Sequence, residues 1–199
     1  MEVKLHLKCT VYNPKKMVSF ELPQIVLCGR SNVGKSSLLN CLAKNKKLAK
    51  TSSTPGKTRS VNFFIASEHN FYFVDLPGYG YAACSKEERK KWPILVKSYF
   101  EKNLSYIKGI ILLLDSKVEP QSSDLQLLSF LENTYPNRFD ILPVLTKVDR
   151  CKRSQLEKNK RLWEKAWNFK RPFIEFSAKT GTGVKNLWKA ILDLIKGSS

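Results

Sequence analysis

The stretch Gly29-Arg30-Ser31-Asn32-Val33-Gly34-Lys35-Ser36 restricts this chain more than any other. It follows the apolar run Ile25-Val26-Leu27-Cys28, a strand over 24–28, and leads into Ser37-Leu38-Leu39-Asn40-Cys41-Leu42-Ala43, part of a helix over 35–43. Strand, then G-x-x-x-x-G-K-S, then helix is the context in which this spacing builds a phosphate-binding loop. The glycines permit backbone turns that a side chain blocks, so successive N–H groups converge on one anion. The helix start adds unpaired donors and the positive end of its dipole. Lys35 can bridge two phosphates as a point charge, and the Ser36 hydroxyl can ligate the Mg2+ that accompanies a nucleoside triphosphate. Taken alone, the pattern also fits a glycine-containing turn between strand and helix in any α/β protein, so the remaining loops must decide.

Those loops sit in a regular alternation. Residues 3–11 place Val3, Leu5, Leu7, Cys9 and Val11 on one side, the period of an extra edge strand. Residues 44–60 are polar and basic without a period and read as a loop. The apolar runs 60–66 and 71–75, separated by Ser67-Glu68-His69-Asn70, predict an antiparallel hairpin. A helix follows over 85–104, which Pro93 should bend or split. Strands over 110–115, 140–146 and 173–176 then alternate with helices over 121–134, 154–168 and 184–196. The uninterrupted run Ile110–Leu114 suits a strand covered on both faces. The expected fold is α/β and three-layered, with a mostly parallel sheet, one antiparallel strand and helices on both faces. With 199 residues, no repeat and no linker, one domain over 1–199 is expected.

In an open parallel sheet, ligands bind beyond the carboxyl ends of the strands. Asp75 ends a strand there, and its carboxylate can reach a metal through water. Gly78, three residues on, can offer its N–H to a γ-phosphate, although Asp75-Leu76-Pro77-Gly78 also spells a plain turn. Thr146-Lys147-Val148-Asp149 ends another strand. Asp149 can accept from both N1–H and the 2-amino group of guanine, a match that adenine cannot offer. An unpaired buried carboxylate costs several kcal/mol, enough for discrimination of about 10³-fold or more. The Lys147 stem can lie along the base. The alternative for Asp149 is a helix N-cap. Ser177-Ala178-Lys179 ends the last strand, where a small residue lets a backbone N–H approach guanine O6; the alternative is a hydroxyl-anchored turn. The loops converge on one ligand, a magnesium-bound guanine nucleotide.

Three segments narrow this further. Gly29 to Ser37, Thr54-Pro55-Gly56-Lys57-Thr58, and Asp75-Leu76-Pro77-Gly78-Tyr79-Gly80-Tyr81 closely resemble the EngB (YihA/YsxC) family of bacterial GTPases, within the TrmE-Era-EngA-EngB-Septin-like superfamily. The resemblance covers nearly the whole chain, apart from about its first ten residues. It implies a three-layer small-GTPase fold, GTP and GDP as ligands, and Mg2+ held by Ser36, Thr58 and Asp75. It implies nucleotide contacts from Gly29, Arg30, Ser31, Asn32, Val33, Gly34, Lys35 and Ser36. It implies further contacts from Gly56, Lys57, Thr58, Arg59, Ser60, Asp75, Leu76, Pro77, Gly78, Thr146, Lys147, Val148, Asp149, Phe176, Ser177 and Ala178. Lys35, Thr58 and Gly78 are the expected catalytic groups. Lys57 replaces the Arg more usual in the family. Members act in assembly of the large ribosomal subunit and in cell division and septation, so that subunit or its rRNA is the implied partner.

Charge supports such a partner. Lys and Arg total 35 against 17 for Asp and Glu, a formal charge of +18, which favours RNA, DNA or an anionic membrane surface. Lys86, Arg89, Lys90 and Lys91 near the 78–90 loop are expected at one such surface. A second is expected on the 150–171 segment, with Arg150, Lys152, Arg153, Lys158, Lys160, Arg161, Lys165, Lys170 and Arg171. The first residues lack the apolar core of a signal peptide, and the longest apolar run is too short to span a bilayer. A cytoplasmic monomer without a membrane anchor is expected. Many GTPases place Gln after D-x-x-G, but here Tyr79 stands there, so slow intrinsic turnover is expected. Asn32 is a candidate K+ ligand, or simply a turn residue; Arg30 and Arg59 are candidate charge stabilisers. Two other functions fit the same features. One is a nucleotide-gated RNA-binding module with incidental hydrolysis; the other is a membrane-facing septation protein, for which no lipid motif is present.

Overall fold

The computed structural model describes residues 3–49, 60–80 and 86–197, with side chains described outside 86–91. Seven strands form one sheet: β1 (Leu5–Val11), β2 (Gln24–Gly29), β3 (Val61–Ala66), β4 (Phe71–Asp75), β5 (Ile107–Asp115), β6 (Ile141–Thr146) and β7 (Ile174–Glu175). Their order across the sheet is β1-β3-β4-β2-β5-β6-β7. β3 runs antiparallel to both β1 and β4, while β4, β2, β5, β6 and β7 are mutually parallel. β1 therefore points the same way as the rest, and β3 is the one antiparallel strand. The α-helices among the described residues are α1 (Lys35–Leu42), α2 (Lys86–Asn103), α3 (Ser122–Thr134), α4 (Arg153–Ala166) and α5 (Val184–Lys196).

Strand alternation sorts the core into two layers. Ile25, Leu27, Ile111 and Leu113 face one way, against Leu38, Leu39 and Leu42 of α1 and Leu187, Trp188, Ile191 and Leu194 of α5. Val26, Cys28, Ile110, Leu112 and Leu114 face the other way, against α2, α3 and α4 through Leu95, Val96, Tyr99, Phe100, Leu127, Leu128, Leu131, Leu156 and Trp163. Both faces being covered explains the unbroken apolar runs Ile25–Cys28 in β2 and Ile110–Leu114 in β5. Burial keeps the Cys28 thiol protonated, its pKa pushed up to about 12.

Two sequence expectations change. β1 does not keep one face: the register shifts between Leu7 and Cys9, so Lys8 is an extra residue against β3. Leu5 joins the α1/α5 layer, Val11 joins the opposite layer, and Leu7 between them is half exposed. Pro93 does not split its helix, because α2 runs through it from Lys86 to Asn103. The turns beyond Pro93 bury Leu95, Val96, Tyr99 and Phe100, and that packing outweighs the lost backbone hydrogen bond.

Chain order reverses at β2: β3 and β4 lie on one side of it, β5 to β7 on the other. A crevice opens at such a reversal, beyond the carboxyl ends of the strands. The segment after β2 is the phosphate-loop sequence.

Candidate nucleotide site

β2 ends at Gly29 and α1 begins at Lys35, so residues 30–34 make the turn. Asn32 takes φ 59° and Gly34, the N-cap of α1, takes φ 116°, a conformation that strains any residue with a Cβ. Gly34 has no side chain with which to cap the helix. Among the described residues, no carbonyl accepts from the amides of Asn32, Gly34, Lys35 or Ser36. Unpaired donors at a helix start suit an anion.

The loops after β5 and β6 brace this turn. Thr146 Oγ1 donates to Val33 O at 2.7 Å and lies 3.2 Å from Leu114 O. Lys147, itself left-handed at φ 59°, donates from Nζ to Asn32 O at 2.7 Å and pairs with Asp115 Oδ2 at 2.8 Å. The Lys147 stem is thereby carried over the phosphate loop. The sequence reading passed over Asp115, although an acid closing an otherwise apolar strand was a visible signal.

Asp75 closes β4 and is 3% exposed, and among the described residues its Oδ1 has no partner. Burial raises its carboxyl above the usual range, opposed by the Lys35 ammonium and the Asn62 side chain. An orphaned buried carboxylate oxygen near Lys35, with the Ser36 hydroxyl in the first turn of α1, offers hard oxygen donors. That chemistry fits a magnesium ion better than a softer metal.

Gly78 lies directly on the phosphate loop. A Cβ there would meet Ser31 Oγ at 2.8 Å and Ser31 N and Cα at 3.0 Å. Ser31 N donates to Tyr79 O at 3.0 Å, and Arg30 and Tyr79 form a parallel bridge that prolongs the β2–β4 pairing. The Tyr79 side chain faces the other way. It is 8% exposed, and its hydroxyl donates to Asp124 Oδ1 of α3 at 2.8 Å. Burial, then the Asp124 carboxylate, pushes the phenol well above its ordinary pKa. Arg30 likewise turns toward α3: its Nε and Ser123 Oγ are the atoms a side chain at Gly80 would meet.

At the base end, Asp149 lies in a 3-10 turn, Val148–Arg150, and the N-cap of α4 is Lys152, which removes the N-cap alternative for Asp149. Ser177 Oγ donates to Asp149 Oδ1 at 2.6 Å and holds that carboxyl below its ordinary range. The same oxygen accepts from the amides of Lys179 and Thr180 at 3.2 Å, so the hydroxyl-anchored turn is present as well. Val148 N donates to Phe176 O, joining the two loops, and Ala178 is exposed beside them.

Other expected residues reach the site differently. The side chains of Val33, Leu76 and Phe176 belong to the core, which leaves only their main chain for a ligand. Ser60 is buried and donates to Asn62 Oδ1 at 3.3 Å. Gly56, Lys57, Thr58 and Arg59 lie outside the described residues, as do the side chains of Lys86, Arg89, Lys90 and Lys91. On α4, Arg153 and Lys160 pair with Glu175, and Lys158 pairs with Glu119. Arg161 and Lys165 are exposed, with no ion-pair partner among the described residues. No helix among the described residues is long and apolar enough to cross a membrane.

Comparison with known proteins agrees with this geometry. A family model described as "50S ribosome-binding GTPase" matches residues 24–147. A protein of Nitratidesulfovibrio vulgaris named "probable GTP-binding protein EngB" is 46% identical over 197 residues, 99% of this chain and 89% of its own. One so named from an Exiguobacterium species is 41% identical over 88% of this chain and 87% of its own. The fold is shared with the crystal structure of a probable GTP-binding protein EngB: TM-score 0.71, 24% identity, 87% of this chain and 98% of that one. It is also shared with a point variant of Aquifex aeolicus Era bound to GDP and aluminium fluoride: TM-score 0.68, 21% identity, 90% and 59%. A phosphate loop braced by the segments that end two other strands, β4 and β6, in a chain so closely related along its length, places this protein in the EngB family of GTP-binding proteins, and it is a GTPase.

Proposed function

We propose that this GTPase is a Mg2+-dependent switch in the assembly of the large ribosomal subunit, needed for normal cell division and septation. In this reading it is a cytoplasmic monomer, with residues 1–199 as one G domain. The observation that carries the site assignment is the meeting of strand-end loops on the phosphate loop: Thr146 and Lys147 on the carbonyls of Val33 and Asn32, and Gly78 on Ser31.

Residues 29–36, 56–60, 75–78, 146–149 and 176–178 contact GTP or GDP. Ser36, Asp75 and Thr58 would hold Mg2+, which would supply positive charge against the phosphates when bound. Lys35 neutralises charge on the oxygens shared by the terminal phosphates. The Gly78 N–H donates to the γ-phosphate, and Thr58, outside the described residues, is the second group expected to touch it. Asp149 and the Ser177-Ala178 backbone select guanine. With the Tyr79 phenol bound to Asp124, this chain has no side chain at the glutamine position to orient the attacking water. Intrinsic turnover is therefore slow, and K+ beside Asn32 or the bound partner supplies the missing help.

The +18 charge, the exposed Arg161 and Lys165, which have no ion-pair partner among the described residues, and the family description "50S ribosome-binding GTPase" support an rRNA partner. The test is binding of large-subunit particles by apo, GDP-bound and GTP-bound protein at several salt concentrations. GTP should strengthen binding and salt should weaken it; particles bound equally in all three states would end the switch proposal. Turnover with and without particles separates a switch from an RNA-binding module with incidental hydrolysis. Turnover in K+ should exceed that in Na+, and equal rates would remove the role given to Asn32.

A further inference from the structure

The D-x-x-G segment is anchored on both sides of Gly78. Before it, Trp92 Nε1 of α2 donates to Pro77 O at 2.8 Å. After it, Tyr79 O accepts from Ser31 N at 3.0 Å, and the Tyr79 hydroxyl reaches Asp124 at 2.8 Å in a buried contact. The Tyr79 ring also stands edge-on to Trp92, with centroids 6.0 Å apart. Between these anchors, the Gly78 N–H meets no acceptor among the described residues. A donor left unpaired, and held still by its neighbours, is how a protein prepares for charge that arrives only with a ligand.

Asp124 is itself fixed. It is 2% exposed and stands third in α3, where its Oδ2 accepts from Gln121 N at 3.2 Å in a reciprocal cap. Its Oδ1 is thereby turned to Tyr79. Leu127, Leu128 and Leu131 lock the following turns of α3 into the core. The hydroxyl bond to Tyr79 thus ties the D-x-x-G segment to α3, the helix toward which Arg30 also turns.

We propose that Asp124 is a positioning residue for GTP hydrolysis: through the Tyr79 hydroxyl it holds the Gly78 amide where a γ-phosphate will be. This rests on the assignment of Gly78 to the γ-phosphate. GDP lacks that group, so the lock bears on GTP and on the hydrolytic transition state, and leaves GDP binding alone. Tyr79, at the position where an amide would orient water, is a structural anchor that never touches the nucleotide.

The test compares Tyr79→Phe, Asp124→Ala and Asp124→Asn with the parent protein. The readouts are GTP and GDP affinity by fluorescent-nucleotide titration, single-turnover hydrolysis, and binding of GDP with aluminium fluoride. Tyr79→Phe and Asp124→Ala should each weaken GTP about tenfold, the equivalent of one hydrogen bond's positional contribution. Both should weaken the aluminium fluoride complex at least as much and leave GDP within about twofold. Asp124→Asn keeps one acceptor oxygen for two donors and should fall between the parent and Asp124→Ala. The double variant Tyr79→Phe/Asp124→Ala should be no worse than Asp124→Ala alone, because the Tyr79 bond is already broken there. Equal losses for GTP and GDP would reduce the pair to a folding contact, and unchanged GTP affinity would overturn the proposal. Gly78→Ala separates the underlying assignment: if it leaves the GTP-to-GDP ratio untouched, Gly78 does not serve the γ-phosphate. If only Gly78→Ala changes that ratio, the site stands and the lock does not.

Discussion

Replacing Asp75 by Asn should stabilise the nucleotide-free protein and destroy its response to magnesium nucleotides. Asp75 is 3% exposed, and its Oδ1 lacks a partner among the described residues. A buried unsatisfied acceptor costs about 1–3 kcal/mol, more when charged, and the Lys35 ammonium offsets part of this. A net gain of about 1–2 kcal/mol for Asp75→Asn follows. In a domain of this size that raises Tm by about 2–8 °C. Burial raises the carboxyl above 3.8, so the folded state holds its proton more tightly than the unfolded one. The stabilisation from that proton is complete below 3.8 and is lost as pH rises through the folded value. The gap between variant and parent should therefore widen across that interval and stay constant above it. With Mg2+ and GDP at about 1,000 times Kd, the parent gains about 4 kcal/mol by linkage and the variant little, so the order of melting temperatures reverses. Scanning calorimetry with and without Mg2+ and GDP reads both effects. An apo variant less stable than its parent would refute the view that Asp75 is retained for its ligand at the expense of stability.

Thr146→Val removes the hydroxyl that joins β6 to Val33 O; denaturant unfolding should show a loss of about 1–3 kcal/mol, with weaker binding of both GDP and GTP. Asp149→Ala should collapse the preference for GTP over ATP, expected at about 10³-fold or more in the parent, and competition titration would contradict the base-recognition role if the preference survived. The Lys160 hydrogen bond and charge, followed by Arg153, hold Glu175 below its ordinary 4.5. The stabilisation from that ion pair is full above 4.5 and disappears as pH falls through the lower folded value. Glu175→Gln should lose about 0.5–1 kcal/mol at neutral pH, given partial exposure, and show a flatter acid limb; an identical acid limb would exclude this contribution.

The phosphate loop and the two-faced strands were legible because each depends on local order: a fixed glycine spacing, or an unbroken run such as Ile110–Leu114. The change of face within β1 was not. Its alternation is intact in sequence, and only pairing with β3 makes Lys8 an extra residue. Pro93 does not split α2, because intrinsic preference yields to the packing of Leu95, Val96, Tyr99 and Phe100. In the site, Thr146 and Lys147 were found by motif, but their bonds to Val33 and Asn32 span more than a hundred residues and have no sequence signature. Tyr79 reads in the sequence as a missing glutamine, and nothing there marks Asp124, 45 residues away, as its partner. A buried hydrogen bond between distant elements becomes visible only when the fold brings them together.

The Lys147 ammonium, clasped by Asn32 O and Asp115, links the segment proposed to hold the base to the phosphate loop. In that reading a shift at one end would strain the Lys147 contacts to the other. A guanosine fragment and a diphosphate fragment would then dock onto the same stiff frame, and the intact nucleotide would need little reshaping of that frame between its two ends.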